Sequence, residues 1–378
     1  MYTVRDFGDM IADRVRMGAY EEALRQSVKP GSVVVDLGAA TGIFTLLACR
    51  FGARKVYAIE PNAAIDVARA LVRDNGFRDR VEIIPKMSTV AHLPEKADVI
   101  VSDVRGVLPT FMSSLATIID ARSRWLKPGG VLLPKRDELR AGVVEVPSLY
   151  ESLLRPWGRE YHYGFDASAG AAAVLSRWVA IRENEIVEPQ LLTEPETWAT
   201  IDYERVTEHG VRGRVALRAA RAGTGHGLAV WFDATLLEGI HFSNRPGSSG
   251  IHGRAFFPWP SAVALEEGTP IEVQLSAVPT EDDYVFSWNT KIGGASPQEF
   301  RQTDFFAHLR MDELIRADDP RPRKLSPQGL HTLRALEWLH AGASRDEVAA
   351  RLTEAFPEQF PSHEAALLAI RALLRKYT

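Results

Sequence analysis

Gly31-Ser32-Val33-Val34-Val35-Asp36-Leu37-Gly38-Ala39-Ala40-Thr41-Gly42 is the stretch that decides the fold. Three β-branched valines run into Asp36, a turn of small residues follows, and a helical pattern runs from Ile43 to Phe51. A buried strand, a tight loop and a helix N-terminus in that order suit a nucleotide-like cofactor. Gly38 and Gly42 let backbone approach a ligand where a Cβ would collide. A second strand, Lys55-Val56-Tyr57-Ala58-Ile59, ends on Glu60, a carboxylate placed for a ribose diol. The full Gly-x-Gly-x-x-Gly spacing is absent, which argues against a dinucleotide pyrophosphate. A turn that cradles an adenosine group without phosphates suits S-adenosylmethionine.

Upstream, Phe7, Met10, Ile11, Val15, Ala19 and Leu24 predict a helix over 7–28, stopped by Pro30-Gly31. Downstream the pattern alternates: a helix over 62–75, strands over 81–84 and 98–102, a helix over 111–125 and a strand over 131–133. Ligands of such sheets bind at the carboxyl ends of the strands, which groups Gly38, Glu60, Met87, Ser88 and Asp103 around one crevice. After Pro134, strands are predicted over 138–146, 178–183, 199–206, 213–221, 227–236, 271–279 and 283–291, without regular helices between them. That pattern reads as a mostly antiparallel barrel or sandwich. Residues 150–175, aromatic and then alanine-rich, read as an insertion. A polar, proline-broken linker at Asp318–Arg323 precedes three amphipathic helices over 326–340, 344–356 and 362–376, with Ser326 and Ser344 as starts for the first two.

Composition narrows the function. A chain of 378 residues is long for one core, so two or three domains are expected. The net charge of −4 provides no basic field for nucleic acid. The lone Cys49 permits no intramolecular disulfide and no thiolate cluster, and the histidines show no zinc spacing, so no metal is expected. There is no apolar signal core at the N-terminus and no run of membrane-spanning length, so a cytoplasmic protein without a membrane partner is expected.

Several motifs, in order, resemble the protein arginine methyltransferase family. Met10-Ile11-Ala12-Asp13-Arg14-Val15-Arg16 followed by Tyr20 is similar to the family's N-terminal helix motif, and Val35–Gly42 to its cofactor loop, with Ala40 where the central glycine usually stands. Val56–Glu60, the run from Ala121 to Gly130 followed by Pro134, and Tyr163-Gly164-Phe165-Asp166 continue the likeness. The resemblance implies an α/β Rossmann-like methyltransferase domain followed by an antiparallel β-barrel domain, with the small C-terminal helical module added. The corresponding divisions are 1–30 (a helical segment over the cofactor), 31–135 (the cofactor domain), 136–317 (the barrel, carrying a dimerisation arm at about 150–175) and 318–378.

The resemblance also implies roles. S-adenosyl-L-methionine would be the methyl donor and S-adenosyl-L-homocysteine the product. Arg16 would pair with the methionine carboxylate, Glu60 with the ribose, and Met87 and Ser88 with adenine, while Asp36 supports the loop. Met10 and Met112 would face the acceptor. His252, on a barrel loop, would pair with Asp13 either to relay a proton or simply to tie barrel to helix. The arm residues Trp157, Tyr161, Tyr163 and Phe165 point to a homodimer, and the C-terminal helices to a packing module or a peptide or protein partner.

One loop departs from the family. Where a guanidinium substrate is held by two glutamates, this chain has Asp103 and Met112, with Arg105 between them. One short carboxylate, a thioether and a nearby cation are a poor receptor for a guanidinium. The expected acceptor is therefore a nitrogen or oxygen nucleophile of a small molecule, amino acid or peptide, with Asp103 orienting it. The alternatives are an arginine N-methyltransferase that borrows a carboxylate such as Glu138 or Asp233, and a non-catalytic cofactor-binding scaffold.

Overall fold

The chain opens with two helices where the periodicity predicts one over 7–28. Helix α1 (Val4–Ala12) starts at a capping box between Thr3 and Asp6, and α2 (Arg14–Ser27) starts at Asp13. Asp13 lies in extended backbone and accepts the amide of Arg16 at 3.0 Å. An aspartate competes with the helix for backbone donors, so it caps better than it continues.

Next come β1 (Val33–Leu37), α3 (Ile43–Arg50), β2 (Lys55–Ile59), α4 (Ile65–Asp74), β3 (Val81–Ile84), β4 (Ala97–Ser102), α5 (Ser114–Trp125) and β5 (Leu126–Leu133). The strands form one parallel sheet in the order β3-β2-β1-β4-β5. Every residue of β1 is buried, as a strand covered on both faces requires. Strand order reverses at β1, so the crevice of this sheet opens at the carboxyl ends of β1 and its neighbours. β5 begins at Leu126, earlier than the predicted 131, because a register shift opposite Ala97–Val99 takes in the Pro128-Gly129-Gly130 run.

From residue 136 the chain is antiparallel. It comprises β6 (Arg136–Val144), α6 (Pro147–Leu154), α7 (Ser168–Leu175), β7 (Val179–Ile181), β8 (Glu196–Asp202), β9 (Val211–Arg218), β10 (Gly223–Leu237), β11 (Ile240–Ser243), β12 (Arg254–Leu265), β13 (Pro270–Pro279), β14 (Tyr284–Ile292) and β15 (Gln298–Thr303). One sheet runs β7-β12-β10-β6-β8 with β11 on β10, the other β15-β14-β13-β9, giving a barrel-like domain. Aromatic side chains fill the space between them. Phe257 meets Phe286 and Trp288 edge-on, and the Trp288 indole donates to the Pro258 carbonyl at 3.1 Å. The predicted strands omit β11, β12 and β15. β12 contains Pro258 and Pro260, which read as breakers, and Pro258 sits opposite Gly227 at a register shift, where a missing N–H does no harm. One hydrophobic cluster runs from the parallel sheet into this domain, so the two share a core.

The computed structural model describes residues 2–161, 163–181, 186–187, 190–280, 283–305 and 325–377, and the predicted linker at 318–323 lies outside them. The chain divides into two compact units, Met1–Leu309 and Arg310–Thr378. The second holds α8 (Pro327–His340), α9 (Arg345–Ala355) and α10 (His363–Tyr377). Ser326 caps α8 and Ser344 caps α9, and the three helices bury Ala335, Val348, Leu352, Phe360 and Ile370 together. Among the described residues no helix is long and apolar enough to cross a membrane.

Candidate active site

The cofactor loop closes on itself through Glu60. Gly38 and Gly42 take positive φ of 77° and 86°, and Ala40 takes 49°, a left-handed conformation that costs an alanine about 1 kcal/mol or more. Glu60, just after β2, accepts the amide of Ala40 at 3.0 Å through one oxygen and that of Asn62 at 2.8 Å through the other. The carboxylate therefore holds Ala40 in its strained conformation and keeps a lone pair on each oxygen for hydroxyl donors. Beneath the loop, fully buried Asp36 accepts the Thr45 hydroxyl at 2.6 Å, while its other oxygen has no partner. Burial pushes its pKa up to about 7 against the hydrogen bonds from Thr45. Ser88 is buried in a single 3₁₀ turn after β3, and Met87 beside it is 52% exposed. Positive-φ glycines, a carboxylate with free lone pairs and a buried orphan oxygen at the ends of β1–β3 fit an adenosine-bearing donor. Among the described residues no group of three or more ligating side chains could hold a metal ion.

The acceptor side grows from the loop after β4. A Cβ on Gly38 would stand 2.8 Å from Val104, so this loop packs directly on the cofactor turn. Asp103 is buried and has both oxygens taken. Arg16 donates to Oδ2 through Nε at 2.5 Å, and Arg105 to Oδ1 through Nη1 at 2.9 Å. Burial alone would raise the Asp103 pKa, but Arg16, His252 and Arg105 together hold it well below the usual carboxylate range. Arg16 also donates to the Met10 carbonyl at 3.0 Å. Its guanidinium thus lies on Asp103 and α1, which differs from the pairing with a methionine carboxylate that the resemblance implies. Nη2 makes no hydrogen bond among the described residues.

Arg105 is the feature that residue patterns alone misread. Rather than an extra charge in the cleft, it is fully enclosed. It forks onto Asp137 of β6, Nε to Oδ2 at 2.8 Å and Nη2 to Oδ1 at 2.7 Å, and donates to the Tyr20 hydroxyl at 2.8 Å. Tyr203 donates to Asp137 at 2.6 Å. Burial alone would lower the Arg105 pKa, but Asp137 above all drives it well above the arginine value. Two arginines and two aspartates therefore make a balanced buried cluster. Asp137 and Tyr203 carry no local motif, so only the pairing of β6 with its neighbours brings them here.

The expected Asp13–His252 pair does not form. Asp13 spends one oxygen capping α2, and the other accepts the backbone amide of Ile251 at 3.0 Å, so it ties helix to loop through the main chain. His252 instead sets Nδ1 3.0 Å from the Gly106 carbonyl, with its ring stacked on Phe242 and edge-on to Phe232. A carbonyl can only accept, so Nδ1 carries a hydrogen and Nε2 is the ring nitrogen left for proton exchange. Nε2 is buried without a hydrogen bond, 3.7 Å from Asp103 Oδ2. Asn244 completes the wall by donating to the carbonyls of Val107 and Gly253.

On β11, the His241 ring turns to Thr235, 3.2 Å away. Met112 has positive φ, exposes 56% of its surface and donates its amide to the Asp283 carboxylate at 2.8 Å, so its own side chain brings no charge to the place of the missing glutamate. Glu138 and Asp233 face each other on β6 and β10, one residue along from Asp137 and Phe232. Strand alternation puts both on the opposite face of the sheet from the cluster.

Residues 20–143 match the family model of the ribosomal protein L11 methyltransferase. Protein arginine N-methyltransferase 6 of Danio rerio is 31% identical over 289 residues, 73% of this chain and 82% of that protein. The Xenopus tropicalis protein of the same name is 30% identical, over 72% of this chain and 83% of the relative. Among solved structures, protein arginine methyltransferase 10 of Arabidopsis thaliana superposes with a TM-score of 0.69 at 25% identity, covering 80% of this chain and 97% of that one. The Trypanosoma brucei enzyme–prozyme complex, solved with S-adenosylhomocysteine, gives 0.71 at 22% identity, over 79% and 97%, and supports the fold. This chain belongs to the protein arginine N-methyltransferase family and is an S-adenosylmethionine-dependent methyltransferase.

Proposed function

We propose that the chain methylates a nitrogen or oxygen nucleophile that is not a guanidinium, on a small molecule, amino acid or peptide. One observation carries this reading. Where an arginine acceptor needs two free carboxylates, Asp103 is taken by two arginines of the chain and Met112 bears no charge. A guanidinium entering there meets two like charges and no open acceptor pair.

The donor, when bound, supplies an electrophilic methyl group on a sulfonium. Glu60 would hold its ribose, Met87 and Ser88 its adenine, and Arg16, through the Nη2 that Asp103 and Met10 leave over, its carboxylate, on the turn shaped by Gly38, Gly42 and Asp36. Met10 and Met112 would border the acceptor. Asp103, with each oxygen already bonded to one arginine, would use a single remaining lone pair to orient the acceptor's N–H or O–H, not the open pair a guanidinium fork needs. The proton released on transfer would go to His252 Nε2, whose ring is fixed by the Gly106 carbonyl and by Phe242. Asp13 would position the loop that carries His252.

The exposed arm residues Tyr161, Tyr163 and Phe165 support a homodimer, and Leu330 and Leu333 on α8 a protein or peptide partner for the C-terminal unit. The one cysteine, buried Cys49, agrees with a cytoplasmic location.

The test is methyl-labelled cofactor offered with arginine-rich peptides, free arginine and a panel of amines, alcohols and phenols. Label is expected in a non-guanidinium acceptor, and His252→Ala should slow that transfer by about 10²–10⁴-fold at unchanged cofactor affinity. Arginine peptides labelled as fast as the best alternative would overturn the reading. A protein that binds cofactor, labels nothing and co-purifies with a partner would favour the scaffold.

A further inference from the structure

We infer that Arg105 is the specificity-determining residue of the acceptor cleft: an internal guanidinium, seated in a receptor built from both halves of the first unit, that fills the place an arginine substrate would need. The inference rests on the non-guanidinium reading above and supplies its physical cause.

The receptor is complete. Asp137 takes Nε and Nη2 in a two-point fork, at 2.8 and 2.7 Å. Nη1 is shared between Asp103 and Tyr20, at 2.9 and 2.8 Å. Aromatic rings cover the planar group, with Phe232 and Phe242 centred 5.3 and 5.5 Å from Cζ. Fork, hydroxyl and aromatic cover are what a site selecting a guanidinium over an ammonium would present. The ligand of this site is the protein's own side chain.

Covalent attachment makes that ligand hard to displace. Arg105 lies two residues from Asp103 on one loop, so its effective concentration at the receptor far exceeds any dissolved arginine. A substrate guanidinium would also have to leave Arg105 buried without its counter-ions. Asp137 holds Arg105 from β6 and Asp103 meets it from the loop after β4, so the receptor also joins the barrel to the cofactor domain.

The test removes the internal ligand and supplies one from solution. Arg105→Ala in the full-length protein is expected to melt lower than wild type. Millimolar methylguanidine or free arginine should raise its melting temperature saturably, while methylammonium and urea should not, and wild type should show no such response. The same variant should label arginine peptides at least about tenfold faster than wild type, the scale of one interaction freed in the transition state. Arg105→Gln, which keeps the packing and loses the charge, carries the comparison if the alanine variant does not fold. A soluble variant with cofactor binding intact, but with neither guanidinium-dependent stabilisation nor gained arginine labelling, overturns the inference and leaves the non-guanidinium reading standing. Wild type that already labels arginine peptides overturns that reading instead, whatever the variants bind.

Discussion

Asp137→Asn takes one negative charge from a buried cluster balanced by two arginines and two aspartates. Asp137 is fully buried and accepts three hydrogen bonds, two from Arg105 and one from Tyr203, at 2.6–2.8 Å. Each bond to a charged group contributes about 1.5–3 kcal/mol, and asparagine keeps part of the set through its carbonyl oxygen. The larger loss is the counter-charge of Arg105, and breaking one partner of a buried pair costs about 3–5 kcal/mol. That is a large share of a typical domain stability of about 5–15 kcal/mol, so the variant should fold and melt early. Arg105→Met should cost a similar amount. Combined with Asp137→Leu it should cost clearly less than the sum of the single changes, because Arg16 and Asp103 still neutralise each other. Contacting residues couple by about 0.5–3 kcal/mol, and the upper end is expected. Urea unfolding followed by tryptophan fluorescence reads this out, since only Trp338 lies in the C-terminal unit and Trp338→Phe silences it. An Asp137→Asn variant within about 0.5 kcal/mol of wild type, the range of ordinary surface changes, or strictly additive costs, would refute a charge-balanced core.

Three further outcomes follow from the site. Glu60→Ala should weaken S-adenosylmethionine binding by about 100-fold in calorimetry, the scale of two lost bonds to a charged group, and unchanged affinity would remove Glu60 from the cofactor site. Asp36 holds its proton more tightly folded than unfolded, so the stability it contributes is full below about pH 4 and is lost as pH rises through about 7. Asp36→Asn should flatten the pH dependence of the urea midpoint between those limits, worth at most about 4 kcal/mol, and an unaltered slope would contradict the buried-acid assignment. Changing Tyr163 and Phe165, 97% and 76% exposed, to serine should shift the sedimentation coefficient from dimer to monomer, and a wild-type monomer would remove the arm as an interface.

Much of the donor side was legible because its signals are local. Valines before Asp36, glycines at positive φ and a carboxylate at the end of β2 are each set by a few consecutive residues, and a parallel sheet then brings its strand ends together. Helix starts at Ser326 and Ser344 are local in the same sense. The break at Asp13 was missed because a capping aspartate inside an apolar-periodic stretch looks like one polar position on a helix face. β12 was missed because its prolines hide a strand whose missing donors fall at a register shift.

Pairing across the chain is not local, and it decided the acceptor side. The amino-acid sequence by itself established the class of fold, the methyl donor and the loss of two glutamates from one loop. It also named Asp13, Asp103, Arg105 and His252 as the ionisable groups to watch. Only the tertiary structure decided who faces whom: His252 meets Asp103 and not Asp13, and Arg105 meets Asp137 from β6, 32 residues away. A buried charge must find its counter-charge, and that partner is chosen by strand register rather than by sequence distance.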